Sequence, residues 1–268
     1  MTEGWDCHAH IIGPYDRYPL AEGRSYTPPE ALLPEYLSRL ARLGLSHGVL
    51  VHPSAYGSDL TLLLDVLAAQ PRLRGVIVAR PGELPTLNGL HQAGVRALRF
   101  SHRSGAATNF LGSASFEDLL TLAPAMANAG LHAELWTDCK VLPDIAPQLR
   151  TLPFPVVIDH MGGFDVEAGI DDPNFRALLS LLEKGHIWVK LCAYRNLLKA
   201  ASLELGLPFH QALLQANPKQ LVWGSDWPHL NVAPVPDALQ LLKVMKRWTR
   251  SEDLTREILL NNPDRLYG

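Results

Sequence analysis

Three cysteines, Cys7, Cys139 and Cys192, are all that the 268-residue chain contains. An odd number in no metal-like spacing argues against a disulfide framework and points to reduced, structural thiols. Long apolar runs are missing too: stretches such as Val76 to Ala79 and Pro155 to Ile158 end at charge or glycine, far short of the roughly 20 residues a membrane span needs. Nor is there a run of basic residues. The balance is 24 Lys and Arg against 27 Asp and Glu, a net charge of −3, which removes the electrostatic footprint of a nucleic-acid or anionic-membrane binder. The N-terminus passes from Met1-Thr2-Glu3-Gly4 directly into Trp5-Asp6-Cys7-His8 without the basic start and apolar core of a signal peptide, which predicts a cytoplasmic protein. No low-complexity segment, repeat or linker divides residues 1–268, so a single domain acting on a small molecule is expected. The oligomeric state stays open.

What the chain does contain is a cycle. Short β-rich runs at Trp5 to Ile11, His47 to His52, Arg74 to Arg80, Val95 to Phe100, Leu131 to Trp136, Pro155 to Asp159, Ile187 to Cys192 and Gln220 to Trp223 alternate with segments of helical period. The helical segments are Pro28 to Leu43, Ser58 to Ala69, Leu84 to Ala93, Ser115 to Ala129, Leu142 to Leu149, Asn174 to Lys184, Leu203 to Gln215 and Val235 to Trp248. The first opens on Thr27-Pro28-Pro29-Glu30, which reads as a cap, and Gly44 follows it where a helix end favours a left-handed residue. Gly48-Val49-Leu50-Val51 and Gly75-Val76-Ile77-Val78-Ala79 are apolar almost throughout, as strands covered on both faces are. A Gly-rich dinucleotide turn is absent after the first strand. The fold class expected is α/β, a (β/α)8 TIM barrel in a single domain.

In such a barrel the reacting groups come from the carboxyl ends of the strands. Strand one ends in His8-Ala9-His10, and a spacing of two puts both imidazoles on one face of a strand. Strand six ends in Asp159-His160-Met161-Gly162-Gly163 and strand eight in Gly224-Ser225-Asp226-Trp227-Pro228-His229. The three histidines and the aspartate therefore converge on one mouth, where a carboxylate can act as a base and imidazoles as ligands or donors. As a purely structural set, four polar tips would need partners with no compensating role.

At this point the chain resembles the amidohydrolase superfamily, in the branch of 2-pyrone-4,6-dicarboxylate lactonases and sugar lactonases. The resemblance runs along the whole chain. It is carried by Asp6-Cys7-His8-Ala9-His10-Ile11-Ile12-Gly13-Pro14, Tyr26-Thr27-Pro28, Pro53-Ser54-Ala55-Tyr56-Gly57, Val95-Arg96-Ala97-Leu98-Arg99-Phe100, Asp159-His160-Met161-Gly162, Lys190-Leu191-Cys192-Ala193-Tyr194-Arg195 and Trp223-Gly224-Ser225-Asp226-Trp227-Pro228. It implies a lactone hydrolase active in the catabolism of aromatic compounds. Asp226 would be the general base activating water, and His8, His10 and His160 would polarise the lactone carbonyl. Arg99 and Arg195, with Tyr26 and Ser54, would surround the substrate's carboxylates, for which guanidinium forks are suited. Arg103 is a further candidate contact, equally readable as a solvated loop residue, and His229 stands where the leaving oxygen would lie. Gly163 departs from the resemblance, which has an arginine there, and this keeps a sugar or muconate-type lactone open.

Metal is the point on which the readings divide. The wider superfamily binds one or two divalent cations, usually with another histidine ending strand five. Here the nearest candidate, His132, begins its strand and is expected to face the stability end of the barrel. His8, His10, His160 and Asp226 are enough in number for zinc or manganese, whereas the pyrone lactonase resemblance implies no required cofactor. A metal-dependent amidohydrolase or decarboxylase, and a binding protein on a decayed barrel, are the alternatives. His52 reads as a core histidine bonded to backbone. Cys7, Lys190 and Asp159 read as packing or orienting residues, and the C-terminal Asn261 to Gly268 as a structural seal.

Overall fold

Apolar segments that bury both faces form a parallel sheet here. The computed structural model describes residues 3–83, 86–105 and 111–268. Eight strands lie side by side in chain order: β1 (Trp5–Ala9), β2 (His47–Val51), β3 (Leu73–Ile77), β4 (Val95–His102), β5 (His132–Thr137), β6 (Val156–Ile158), β7 (Trp188–Leu191) and β8 (Leu221–Trp223). Each neighbouring pair is parallel. Backbone bonds close the remaining seam, Asp226 N donating to His8 O and His10 N to Trp227 O, both over 2.8 Å. The fold is the expected (β/α)8 barrel.

The helices are α1 (Leu33–Leu43), α2 (Thr61–Ala69), α3 (Phe116–Asn128), α4 (Leu142–Leu149), α5 (Pro173–Glu183), α6 (Leu207–Ala216), α7 (Ala238–Thr249), α8 (Glu252–Arg256) and α9 (Asn262–Tyr267). Local chemistry fixes their ends. Ser115 and Asp118 form a reciprocal capping box on α3, Asp237 caps α7, and Gly44 closes α1 in the left-handed region at φ 71°. Of the described residues, no helix is long and apolar enough to cross a membrane.

Two expected helices differ. Residues 28–32 before α1 are not helical, because Ala31 exchanges backbone hydrogen bonds with Ile12 and Pro34 then sets the helix start. Between β3 and β4, residues 86–94 are irregular and turn-rich rather than helical. Gly89 at φ 87° and Gly94 at φ 93° interrupt any helical run there, and Leu84 and Pro85 lie outside the described residues.

A large apolar layer, including Leu98, Phe100, Leu119, Leu178 and Trp223, fills the space between strands and helices. The barrel interior is a second cluster of small and medium side chains, Cys7, Val49, Val51, Val76, Ala97, Val157 and Val222 among them. Leu266 and Tyr267 of α9 plug its lower end. His132 packs edge-on against Tyr267 at 5.2 Å between ring centroids, at the stability end as expected.

Candidate active site

The barrel seam places the first histidines. The β1–β2 register slips between Asp6 and Ala9. Cys7 joins the interior cluster and Ala9 the outer layer, while His8, next to Cys7 in sequence, also reaches interior partners. An irregularity of this kind re-aims side chains at a barrel rim. Buried Asp6 staples the seam from below, accepting from Ser225 N at 2.7 Å and Ser225 Oγ at 2.6 Å. Asp226 follows with φ 61°. On the facing strand end, His160 and Met161 also adopt left-handed backbone, φ 49° and 54°, a costly conformation for non-glycine residues that clusters at functional sites.

Asp226 is the hub. Its Oδ2 accepts from the Tyr194 hydroxyl at 2.7 Å and from Arg195 Nε. Its Oδ1 stands 3.7 Å from both His8 Nε2 and His10 Nε2. Burial alone would raise this carboxyl, but its neighbours His10, His160, Arg195 and His8 together hold it well below the usual carboxylate range. It is therefore an ionised acceptor. Burial pushes His160 down to about 4 and His8 well below the ordinary histidine value. His10 Nδ1 lies 2.8 Å from the Val51 carbonyl, an acceptor only, so Nδ1 carries a proton and Nε2 is the atom turned to Asp226.

Beneath the mouth lies a fully buried ionic floor. Lys190 Nζ donates to Glu134 Oε2 at 2.7 Å, stands 3.1 Å from Asp159 Oδ1 and lies 3.0 Å from His8 Nδ1. Tyr267 donates to the other oxygen of Glu134 at 2.7 Å, and Arg99 Nε to Asp159 Oδ2 at 2.8 Å. Burial would lower Lys190, but the Asp159 and Glu134 carboxylates more than offset it and raise the ammonium above its ordinary value. Lys190 and Asp159 are the residues expected to pack or orient, whereas Glu134 is one that the sequence reading misses. The signal was available, since His132, Glu134 and Trp136 alternate along β5 at the spacing of one strand face.

Above this floor opens a cavity of about 640 Å³. Of the expected site residues, His10, His160, Asp226, Tyr26, Ser54, Arg99, Arg103 and Arg195 all line it. His8 lies below it, fully buried. His229 does not line it: with φ 64° its side chain sits behind the hub, Nδ1 3.2 Å from the Tyr194 hydroxyl. Tyr194 was the other missed residue, hidden in sequence beside the more conspicuous Arg195. Trp136 is flanked by two guanidinium groups, Arg99 at 5.2 Å and Arg103 at 4.3 Å from its centroid. His52 borders the cavity while bonding the Gly57 carbonyl at 2.9 Å, as its core reading expected. Gly163 borders the cavity next to Asp138, which lies beside Arg103 and Ser104. Between Arg103 and Ser115, residues 106–110 lie outside the described residues.

Three sets of side chains among the described residues bring potential metal donors within 4.8 Å of one another: His8, His10 and Asp226; His8, Asp159 and His160; His160, Cys192 and Asp226. Two of the three sets suit a cation poorly. The second needs a free lone pair on His8 Nδ1, the atom that lies 3.0 Å from the Lys190 ammonium. The third needs a thiolate, and burial pushes the Cys192 thiol well up.

Comparison with known proteins agrees with this architecture. A 4-sulfomuconolactone hydrolase from Rhizobium radiobacter is 34% identical over 278 residues, covering 98% of this chain and 89% of the relative. A 2-pyrone-4,6-dicarboxylate hydrolase from Comamonas testosteroni is 29% identical over 275 residues, 98% of this chain and 89% of that protein. A Pseudomonas putida crystal structure assigned as a 2-pyrone-4,6-dicarboxylic acid hydrolase superposes with a TM-score of 0.83 at 31% identity, over 100% of this chain and 98% of that one. Residues 5–268 match the amidohydrolase family as a whole, and the chain belongs to that family.

Proposed function

We propose that the protein is a lactone hydrolase that opens a small anionic lactone, with Asp226 as the general base. The observation that carries this reading is the division of labour within one carboxylate. Tyr194 and Arg195 occupy Oδ2 of Asp226, while Oδ1 faces the imidazoles of His8 and His10. A water held between His10 Nε2 and Asp226 Oδ1 directs its hydrogens at two acceptors and keeps a lone pair for the lactone carbonyl. Asp226 then takes one proton, the water oxygen bonds to the carbonyl carbon, and His160, which lines the cavity, faces the developing oxyanion. Collapse breaks the bond from that carbon to the ring oxygen, which receives the proton. Donors aimed at such an oxyanion are each worth roughly 3 kcal/mol.

The cationic wall selects the substrate. Arg99 and Arg195 are each engaged by a carboxylate of the site itself, so they bring less net positive charge to a ligand than free guanidinium groups would. Arg103, stacked on Trp136, with Tyr26 and Ser54 completes a site for one anionic arm. Beside Arg103, Gly163 brings Asp138, rather than a further cation, to the cavity. That arrangement supports a muconolactone-type substrate alongside 2-pyrone-4,6-dicarboxylate.

Chelator-dialysed protein assayed on both lactones tests the reading. Turnover of either without added metal supports a metal-independent lactonase, and the preferred substrate decides the class. Activity that returns only with zinc or manganese would transfer the site to the metal-dependent reading. No hydrolysis of any small lactone under either condition would refute the proposal.

A further inference from the structure

The ionic floor contains more order than the hydrolase reading needs. Lys190, Arg99 and Arg195 face Glu134, Asp159 and Asp226, and burial keeps His8 uncharged among them. Glu134 accepts at both oxygens, from Lys190 and Tyr267, and Asp159 faces Lys190 at one oxygen and Arg99 at the other. Only the position of the His8 proton is then left to assign. The Lys190 ammonium carries three hydrogens, and its neighbours within 3.1 Å are Glu134 Oε2, Asp159 Oδ1 and His8 Nδ1. A proton on His8 Nδ1 would set two donors against each other at 3.0 Å between fully buried side chains, a costly arrangement. The alternative partner for such a proton, Asp159 Oδ1, lies farther away at 3.4 Å.

We propose that Lys190 is a positioning residue that holds His8 as its Nε2–H tautomer, making His8 a hydrogen donor toward Asp226 Oδ1 and denying it to a cation. His8 Nε2 has no hydrogen-bond partner in the protein and stands 3.7 Å from Asp226 Oδ1, where a donor serves the chemistry. His10 holds the opposite tautomer, its Nδ1–H on the Val51 carbonyl. The pair offers the mouth one donor and one acceptor from adjoining rings. This deepens the lactone-hydrolase reading, on which only the kinetic part of the test rests.

The test is the imidazole nitrogen spectrum of the unliganded protein labelled with nitrogen-15 histidine, with His8 assigned by the signals lost in His8→Gln. The expected result is a pyrrole-type Nε2 and a pyridine-type Nδ1. A protonated Nδ1 overturns the proposal whatever the enzyme hydrolyses. The charge-balanced double variant Lys190→Met with Glu134→Gln should move the proton to Nδ1, where Asp159 accepts it. It should also lower kcat by about 100-fold, as loss of one oriented donor does, with KM nearly unchanged, and raise zinc binding measured by calorimetry. An unmoved tautomer in the folded double variant would equally overturn it, and if that variant does not fold the wild-type spectrum still decides.

Discussion

Tyr194 and Asp226 are joined by a 2.7 Å hydrogen bond from the phenol to Oδ2, and that bond turns the other carboxylate oxygen toward the histidines. Asp226→Asn keeps the shape and removes the base, so kcat should fall by about 10³-fold, within the range for general-base loss, while Kd for the lactone changes little. Tyr194→Phe should retain the base but loosen its aim, costing about tenfold in kcat. Steady-state kinetics with calorimetric binding separates these outcomes. Undiminished turnover in Asp226→Asn would remove this carboxylate from the base role.

Arg103 should behave unlike its neighbours. Arg99 and Arg195 each brace a carboxylate of the site, so replacing either disturbs the hub or the floor. Arg103 instead lies along Trp136 beside the cavity. Arg103→Met should therefore raise KM about tenfold, roughly 1.4 kcal/mol of uniform binding, with kcat within about twofold. A fall in kcat at constant KM would assign it a part in the transition state instead.

How far the sequence announces this site follows from what each residue depends on. All eight strands were legible because apolar runs covered on both faces carry their own signal, and His8, His10, His160 and Asp226 were legible because strand ends supply barrel chemistry. The segment between β3 and β4 was not, since Gly89 and Gly94 defeat a helix that its apolar spacing suggests. Glu134 and Tyr194 were hidden for another reason. Their importance arises from partners distant in sequence, Lys190 for one and Asp226 for the other. His229 illustrates the converse, a residue at the right distance from Asp226 in sequence that a left-handed turn carries behind Tyr194.

Acid should weaken the fold before it touches the base. Burial holds His52, His160, His210 and His229 down to about 4 and His132 to about 3. The unfolded chain binds protons at these sites below about 6.5 while the native chain does not, so stability is complete above that pH and is lost as pH falls toward 4. A shift of that size corresponds to roughly 3 kcal/mol per fully buried group. Urea midpoints should therefore drop steeply from pH 7 to pH 5. His210→Gln, which removes a ring bonded to Thr249 outside the cavity, should flatten that slope by about one proton's share. A flat profile would mean that these rings are not held neutral.

Gly163 should be irreplaceable for a local reason that can be separated from its conformation. It sits at φ 54°, and an added Cβ would meet Asp138 Cβ at 3.0 Å and Asp138 Cα at 3.3 Å. Asp138 cannot retreat freely, because its carboxylate accepts from Ser104 N at 2.7 Å and Ser104 Oγ at 2.8 Å. Gly82 is also left-handed, at φ 85°, but nothing lies within 4 Å of its added Cβ. Gly82→Ala should then show the backbone penalty alone, about 1 kcal/mol, a fall in Tm of roughly 2–4 °C for a chain of this size. Gly163→Ala should cost that penalty plus the displacement of Asp138, at least about twice the loss, and should disturb substrate binding on the same wall. Equal Tm shifts for the two variants would show that the wall yields, and that an arginine at this position could be accommodated after all.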